Sequence, residues 1–268
     1  MIEKIDILTK IYYSFLNKKD GMKTMKNKPT QLTRQVIYQE VDYLAEYKLA
    51  HLLSLLTDLA TLNAIEIEMW NDELKGKYGW ILSKQTLRLQ RPIKAEETIT
   101  ITTRAKKAGR VQFERTYDID VDGKTIGGIY SLWTLIDIRQ RKITKPQLAG
   151  ITIPDIEPYD SFLNRYEPVC KDIELTHVLT RQALYNDIDI NQHMNNAKYI
   201  EWALDLLPYD LHRDYFVEQL SMHFKKEIVP LSLVELFFGQ KEDCFKTVFM
   251  VNGESCFELS GQLKRRNC

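Results

Sequence analysis

Residues 185–202 read YNDIDINQHMNNAKYIEW, and Asp187, Asp189, Asn191, His193, Asn195 and Asn196 fall within them with no glycine to mark a simple turn. A histidine beside carboxylates can move protons, and amides can orient a water or a carbonyl. Helix capping is the plain alternative. Asn and Asp satisfy free N–H groups where helices begin, which accounts for Asn195 or Asn196 and for Asp187. It leaves Asp189, Asn191 and His193, at alternate positions leading to the helix start, without an assignment. A calcium loop fails, because a start at Asp187 puts Gln192 where glycine is needed and Lys198 where the bidentate glutamate belongs. A zinc site fails as well, for no second His or Cys stands at ligand spacing. No metal or other cofactor is expected.

The elements that must hold this cluster repeat along the chain. LTRQ occurs at 32–35 and again at 179–182, an offset of 147, and at that offset Tyr38 matches Tyr185, Asp42 matches Asp189, Ala50 matches Ala197 and Asp58 matches Asp205. LRLQRPIKAEETITI (87–101) lines up with MHFKKEIVPLSLVEL (222–236) at an offset of 135, and VDG (121–123) with VNG (251–253) at 130. A falling offset is what shorter loops in the second copy produce. Four of the eight prolines lie between the copies, at 146, 154, 158 and 168, as in a linker that crosses a surface without joining a sheet. The division expected is an extension over 1–29, a first domain over 30–145, a linker over 146–174 and a second domain over 175–268.

Each copy reads as a short strand (RQVIYQEV, RQALYNDI), a polar connection and a long helix. The first helix is expected from about Tyr47 to Leu62 and is apolar around most of its circumference. The second is expected from near Asn195, with Ala197, Ile200, Leu204 and Leu207 at helical spacing and a stop at Pro208. About five mostly antiparallel strands follow in each copy, with Asp-Gly and Asn-Gly marking hairpins. The fold class expected is α+β, two tandem domains that each wrap an antiparallel sheet around a central helix.

Formal net charge is zero over 268 residues, which gives no global field for nucleic acid or an anionic membrane. No apolar run approaches the length of a membrane span, and the charged N-terminus is a poor secretion signal. The four cysteines show no CxxC spacing and are expected as reduced thiols in a cytoplasmic protein.

The repeat also tests the cluster. Copy one places Leu44 opposite Asn191, Glu46 opposite His193, and Lys48 and Leu49 opposite Asn195 and Asn196. Residues needed only to close the turn would recur in both copies. The asymmetry therefore favours function. A further carboxylate, Glu227 in MHFKKEIV, stands where copy one has Pro92, and on the residues alone it is undecided between a solvated strand position and a site.

DIDINQHMNNAKYIEW resembles the NxHxNN signature of the acyl-acyl carrier protein thioesterases, and the similarity extends over most of the chain from about residue 30. That resemblance implies two tandem hot-dog domains and hydrolysis of the thioester that ends fatty-acid synthesis. It carries active-site roles to Asp189, Asn191 and His193, and to Glu227, which lies 34 positions beyond His193. Ile228 stands where plant members carry cysteine, which argues against a cysteine nucleophile. No plastid transit peptide is visible, as in the bacterial members. Either Glu227 or Asp189 would activate water or attack directly, with His193 orienting or shuttling a proton and Asn191 positioning water or carbonyl. Backbone N–H groups at the start of the second helix, with Asn195 and Asn196, would meet the thioester.

The same resemblance implies that domain one holds the acyl chain, with Leu52, Leu56 and Trp80 as candidate lining, although most of the helix leucines are ordinary core. The partner implied is acyl carrier protein. Because that carrier is acidic, a basic docking patch is expected at Arg139, Arg141 and Lys142, with further basic clusters at 104–110 and 264–266. The joined domains would form a monomeric pseudo-dimer or a homodimer. An acyl-coenzyme A thioesterase, or a non-catalytic acyl-thioester-binding protein, would present a similar cluster.

Overall fold

The computed structural model describes residues 28–154, 159–170 and 172–266, and the N-terminal extension expected over 1–29 lies almost wholly outside them. The first half contains β1 (Thr30–Gln35), α1 (Leu49–Glu66), β2 (Tyr78–Leu89), β3 (Thr98–Ala108), β4 (Gln112–Val121), β5 (Lys124–Asp137) and the short β6 (Lys142–Ile143). The second contains β7 (Thr176–Gln182), α2 (Asn196–Leu204), α3 (Tyr209–Asp214), β8 (Tyr215–Phe224), β9 (Leu233–Lys241), β10 (Cys244–Val251) and β11 (Glu254–Arg265).

The strands form one sheet in the order β1-β3-β4-β5-β2-β8-β11-β10-β9-β7, with β6 paired to β5. Read from each outer edge inward, the two halves have the same order, and they meet where β2 pairs antiparallel with β8 from Lys84↔His223 to Arg88↔Gln219. Each half is a hot-dog domain, and the junction lies between equivalent strands. Unlike the two-residue β9–β10 turn, where Glu242 alone has positive φ, the Asp-Gly and Asn-Gly hairpins have it at both turn residues, Asp122 and Gly123 in one and Asn252 and Gly253 in the other. That conformation matches the twist of the flanking strands and favours Asp-Gly or Asn-Gly.

Helix α1 buries Ala50, Leu52, Leu53, Leu56, Leu59, Ala60, Asn63 and Ala64, while Ser54, Thr57, Asp58 and Thr61 remain exposed along one stripe. Each buried leucine contributes roughly 1.5–3 kcal/mol, which outweighs the absence of a side-chain cap at Lys48. Helix α2 is only nine residues long and stops before Pro208, which instead caps α3. The second domain therefore lacks the long central helix of the first, and every residue of the edge strand β7 is exposed. The main core runs through both domains, from Val36 to Leu263.

The chain between the domains crosses the outer face of the sheet strand by strand. The Ser161 hydroxyl meets Thr116 at 2.8 Å, the Glu167 N–H donates to the Thr86 hydroxyl at 3.0 Å, and the Val169 N–H donates to the Ser221 hydroxyl at 3.3 Å. Farther on, a Cβ at Gly239 would stand 2.0 Å from the Glu174 carbonyl oxygen, so only glycine permits that crossing. The reduced-thiol expectation fails here. Cys170 and Cys244 form a disulfide with Cα atoms 5.6 Å apart, tying the linker to β10, whereas Cys256 is free and buried. Spacing along the chain could not reveal a pair separated by 74 residues. No helix among the described residues is long and apolar enough to cross a membrane.

Candidate active site

The 185–196 connection is not a strand running into a helix. β7 ends at Gln182, a single 3-10 turn occupies Tyr185–Asp187, and a tight loop then leads into α2. Within that loop the Asp189 carboxylate accepts the Asn191 N–H at 2.8 Å, the Asp189 N–H donates to the His193 carbonyl at 2.8 Å, and Gln192 takes a φ of 64°. The Asn195 side chain caps α2 by accepting the Ala197 N–H at 2.8 Å. Asn196 is the first helical residue and is half-buried.

Copy one builds the same loop with different side chains. There Asp42 accepts the Leu44 N–H at 2.8 Å, the Asp42 N–H donates to the Glu46 carbonyl at 2.8 Å, and Ala45 takes a φ of 57°. Asp189 is thus accounted for by loop closure, a structural reason that the sequence-level reading did not assign to it. Asn191 is exposed, and its amide lies 3.4 Å from Asp189. The structure joins Asp189 to Asn191 and to the main chain of His193.

The His193 side chain finds a different partner. Its Nε2 lies 3.1 Å from Glu227 Oε2, with both side chains part-exposed. Glu227 does not sit on the strand expected for it. β8 ends at Phe224, where the Lys225 and Lys226 N–H groups both donate to the Cys256 carbonyl, at 2.8 and 3.1 Å, and turn the chain away. Two further bonds fix the turn that follows. The Met194 N–H donates to the Ile228 carbonyl at 2.8 Å, and the Ile228 N–H donates to the Tyr199 hydroxyl at 3.0 Å. These bonds bracket Glu227 and His193 on adjoining segments. Burial, with Glu227 and Asp189 adding to it, pushes the Tyr199 phenol above its ordinary range, so it stays neutral. Tyr199 was missed as a site residue because its position at helical spacing reads simply as core.

Arg141 also reaches the site. It was expected on a docking surface, and its guanidinium lies 3.1 Å from the same Glu227 oxygen that His193 meets. Arg141 belongs to the turn between β5 and β6, in the first domain, and Arg139 and Lys142 are exposed on the same hairpin. The site is therefore composite: loop and carboxylate from the second domain, and a guanidinium from the first.

The residues expected to hold an acyl chain are not gathered in one place. Leu52 and Leu56 lie in the main core, whereas Trp80 belongs to a second cluster with Ile67, Met69 and Leu135 and packs edge-on to Phe113 with centroids 4.7 Å apart. Two surface recesses, one around Tyr166, His223 and Lys246 and the other around Arg104, Asp118 and Tyr159, contain none of these three residues.

The chain matches two profiles of one family, the acyl-ACP thioesterase N-terminal domain over residues 28–147 and the acyl-ACP thioesterase C-terminal domain over residues 170–262. Among characterised relatives, an acyl-[acyl-carrier-protein] hydrolase of Cuphea viscosissima is 27% identical over 168 residues, covering 58% of this chain and 40% of that protein. A palmitoyl-acyl carrier protein thioesterase of Cuphea hookeriana is 26% identical over 174 residues, again covering 58% of this chain and 40% of its own length. The chain thus matches well under half the length of these relatives. In fold, it superposes on an acyl-ACP thioesterase of Bacteroides thetaiotaomicron with a TM-score of 0.75 at 24% identity, over 88% of this chain and 98% of the other. It superposes on a 12:0-ACP thioesterase of Umbellularia californica with a TM-score of 0.73 at 15% identity, over 89% and 98%. Two family profiles matched in tandem, on two halves of one continuous sheet, place this chain in the acyl-ACP thioesterase family.

Proposed function

We propose that the protein hydrolyses fatty acyl thioesters carried on acyl carrier protein, releasing free fatty acid and the carrier thiol. The observation that supports this most directly is the His193–Glu227 pair, held 3.1 Å apart at the entrance to α2 and present in only one of two otherwise matching loops. In this reading Glu227 takes a proton from water, and the water oxygen attacks the thioester carbonyl carbon. Backbone N–H groups at the start of α2, with its positive dipole end, receive the oxyanion. Collapse breaks the C–S bond, and the proton passes to the leaving sulfur through His193. Asp189 holds the loop, Asn191 faces the incoming carbonyl or water, and Asn196 contacts the thioester from the helix start. The first domain is assigned to the acyl chain, and the exposed Arg139 and Lys142 to the acidic carrier.

Thiol release from matched medium- and long-chain acyl-carrier and acyl-coenzyme A substrates, at equal concentration, tests this reading. It predicts faster hydrolysis of the carrier-bound form, with a steeper loss of that activity as salt rises. Activity on coenzyme A esters alone would keep the chemistry and discard the carrier. No activity on either would leave a binding protein.

A further inference from the structure

The contact between Arg141 and Glu227 sets the base of the proposed reaction against a cation from the other domain. Arg141 Nη2 and His193 Nε2 both lie 3.1 Å from the one oxygen, Oε2, which is therefore shared between them. The Arg141 side chain is 78% exposed and Glu227 34%. Arg141 also holds a φ of 51° in the β5–β6 turn, a left-handed conformation that an arginine adopts at some cost.

A second arginine–carboxylate contact joins the halves on the other side of the molecule and shows what an enclosed pair looks like. Glu46 stands where the second copy has His193, not Glu227, and it takes the fork of Arg266, the residue directly after β11, whereas Arg141 lies four residues beyond β5. There Nη2 lies 2.8 Å from Oε2, and Lys94 Nζ adds a second cation at 2.8 Å. The pair is also enclosed, with side chains 24% and 9% exposed. At the catalytic place the second cation is gone, because Val229 occupies the position equivalent to Lys94. One half of the molecule has an arginine–carboxylate pair closed on two sides. The other has an arginine–carboxylate contact built from different positions and open to solvent.

We propose that Arg141 is an exchangeable counterion. It holds Glu227 in the resting enzyme and transfers to the phosphate of an incoming phosphopantetheine arm, leaving Glu227 Oε2 to His193 and opening Arg141's place on it to water. A guanidinium fork matches phosphate oxygens, and an exposed single-bond ion pair exchanges partners readily. Arg141 is thereby a positioning residue that acts through Glu227 and couples arrival of a charged carrier arm to release of the base. This inference rests on the thioesterase reading.

The test compares wild type, Arg141→Gln and Arg141→Lys on two substrates with one acyl group, acyl-pantetheine and its 4′-phosphate, with the carrier-bound and coenzyme A forms as further arms. The wild type should favour the phosphorylated arm. In Arg141→Gln, kcat on the neutral arm should rise about threefold and KM for the phosphorylated arm should rise about fivefold, so that the preference largely disappears. Arg141→Lys should restore part of it. A parallel loss in the carrier-bound and coenzyme A arms would place recognition at the shared phosphate, whereas a loss confined to the carrier arm would place it on the carrier surface and overturn the proposal. An unchanged preference in Arg141→Gln, or equal losses on both arms, would overturn the counterion role while leaving the hydrolase reading standing. Wild type inactive on every substrate would remove both.

Discussion

Two carboxylates lie near His193, and they are held for different reasons. Asp189 accepts the Asn191 N–H as Asp42 accepts the Leu44 N–H, at 2.8 Å in each case, whereas Glu227 meets the imidazole itself and has Pro92 as its counterpart. Because an asparagine oxygen can still accept the Asn191 N–H, Asp189→Asn should lose less than about tenfold in kcat, against a hundredfold or more for Glu227→Gln. Asp42→Ala and Asp189→Ala should each lower stability by about 1–2 kcal/mol, read as denaturant midpoints. An Asp189→Asn loss as deep as that of Glu227→Gln would make Asp189 the reacting group. The sequence singled out His193 and Asn191 through the asymmetry of the repeat. The same repeat also carried the signal that sorts the carboxylates, since Asp189 recurs as Asp42 whereas Glu227 faces Pro92. Arg141 was visible only as one member of a basic run, because nothing local says that a hairpin turn will reach another domain's carboxylate.

At the scale of elements, periodicity found α1 and the hairpin turns, and it misjudged the borders around the site. Ala183–Ile188 reads as β, yet a 3-10 turn at Tyr185–Asp187 takes the chain out of the sheet, closed by the Leu184 N–H donating to the Asp187 carboxylate at 2.9 Å. The Pro-containing linker meets the sheet through the hydrogen bonds of Ser161, Glu167 and Val169. Its covalent anchor was not legible, since a disulfide depends on where folding brings two thiols. The Cys170–Cys244 bond closes a long loop, so Cys170→Ser should cost about 2–4 kcal/mol. Reductant should lower the wild-type unfolding midpoint by a similar amount and leave the variant unmoved. A wild-type midpoint insensitive to reductant would show that the linker is held by its hydrogen bonds alone.

The whole molecule is a pseudo-dimer in one chain, joined through β2 and β8 and through ion pairs that reach between the halves. The repeat made this architecture legible, because three ordered anchors survive in sequence. The difference in side chains between the two matching loops was half legible. The loss of the polar set from copy one could be read, but not its replacement by Glu46 clamped between Arg266 and Lys94. Arg266→Ala strips one cation from a nearly buried carboxylate and should destabilise the protein by about 2 kcal/mol, with urea as the probe. An unchanged midpoint would assign the union of the halves to the strand junction and core alone.

The central claim is that Glu227 and His193 together hydrolyse a thioester. Steady-state thiol release from acyl carrier protein by Glu227→Gln and His193→Ala, each with a far-ultraviolet spectrum and melting curve matching wild type, tests it most directly. The account predicts that each substitution lowers kcat by about a hundred- to ten-thousand-fold, and that the double variant is little worse than the poorer single one. Wild-type turnover in either folded variant would contradict it.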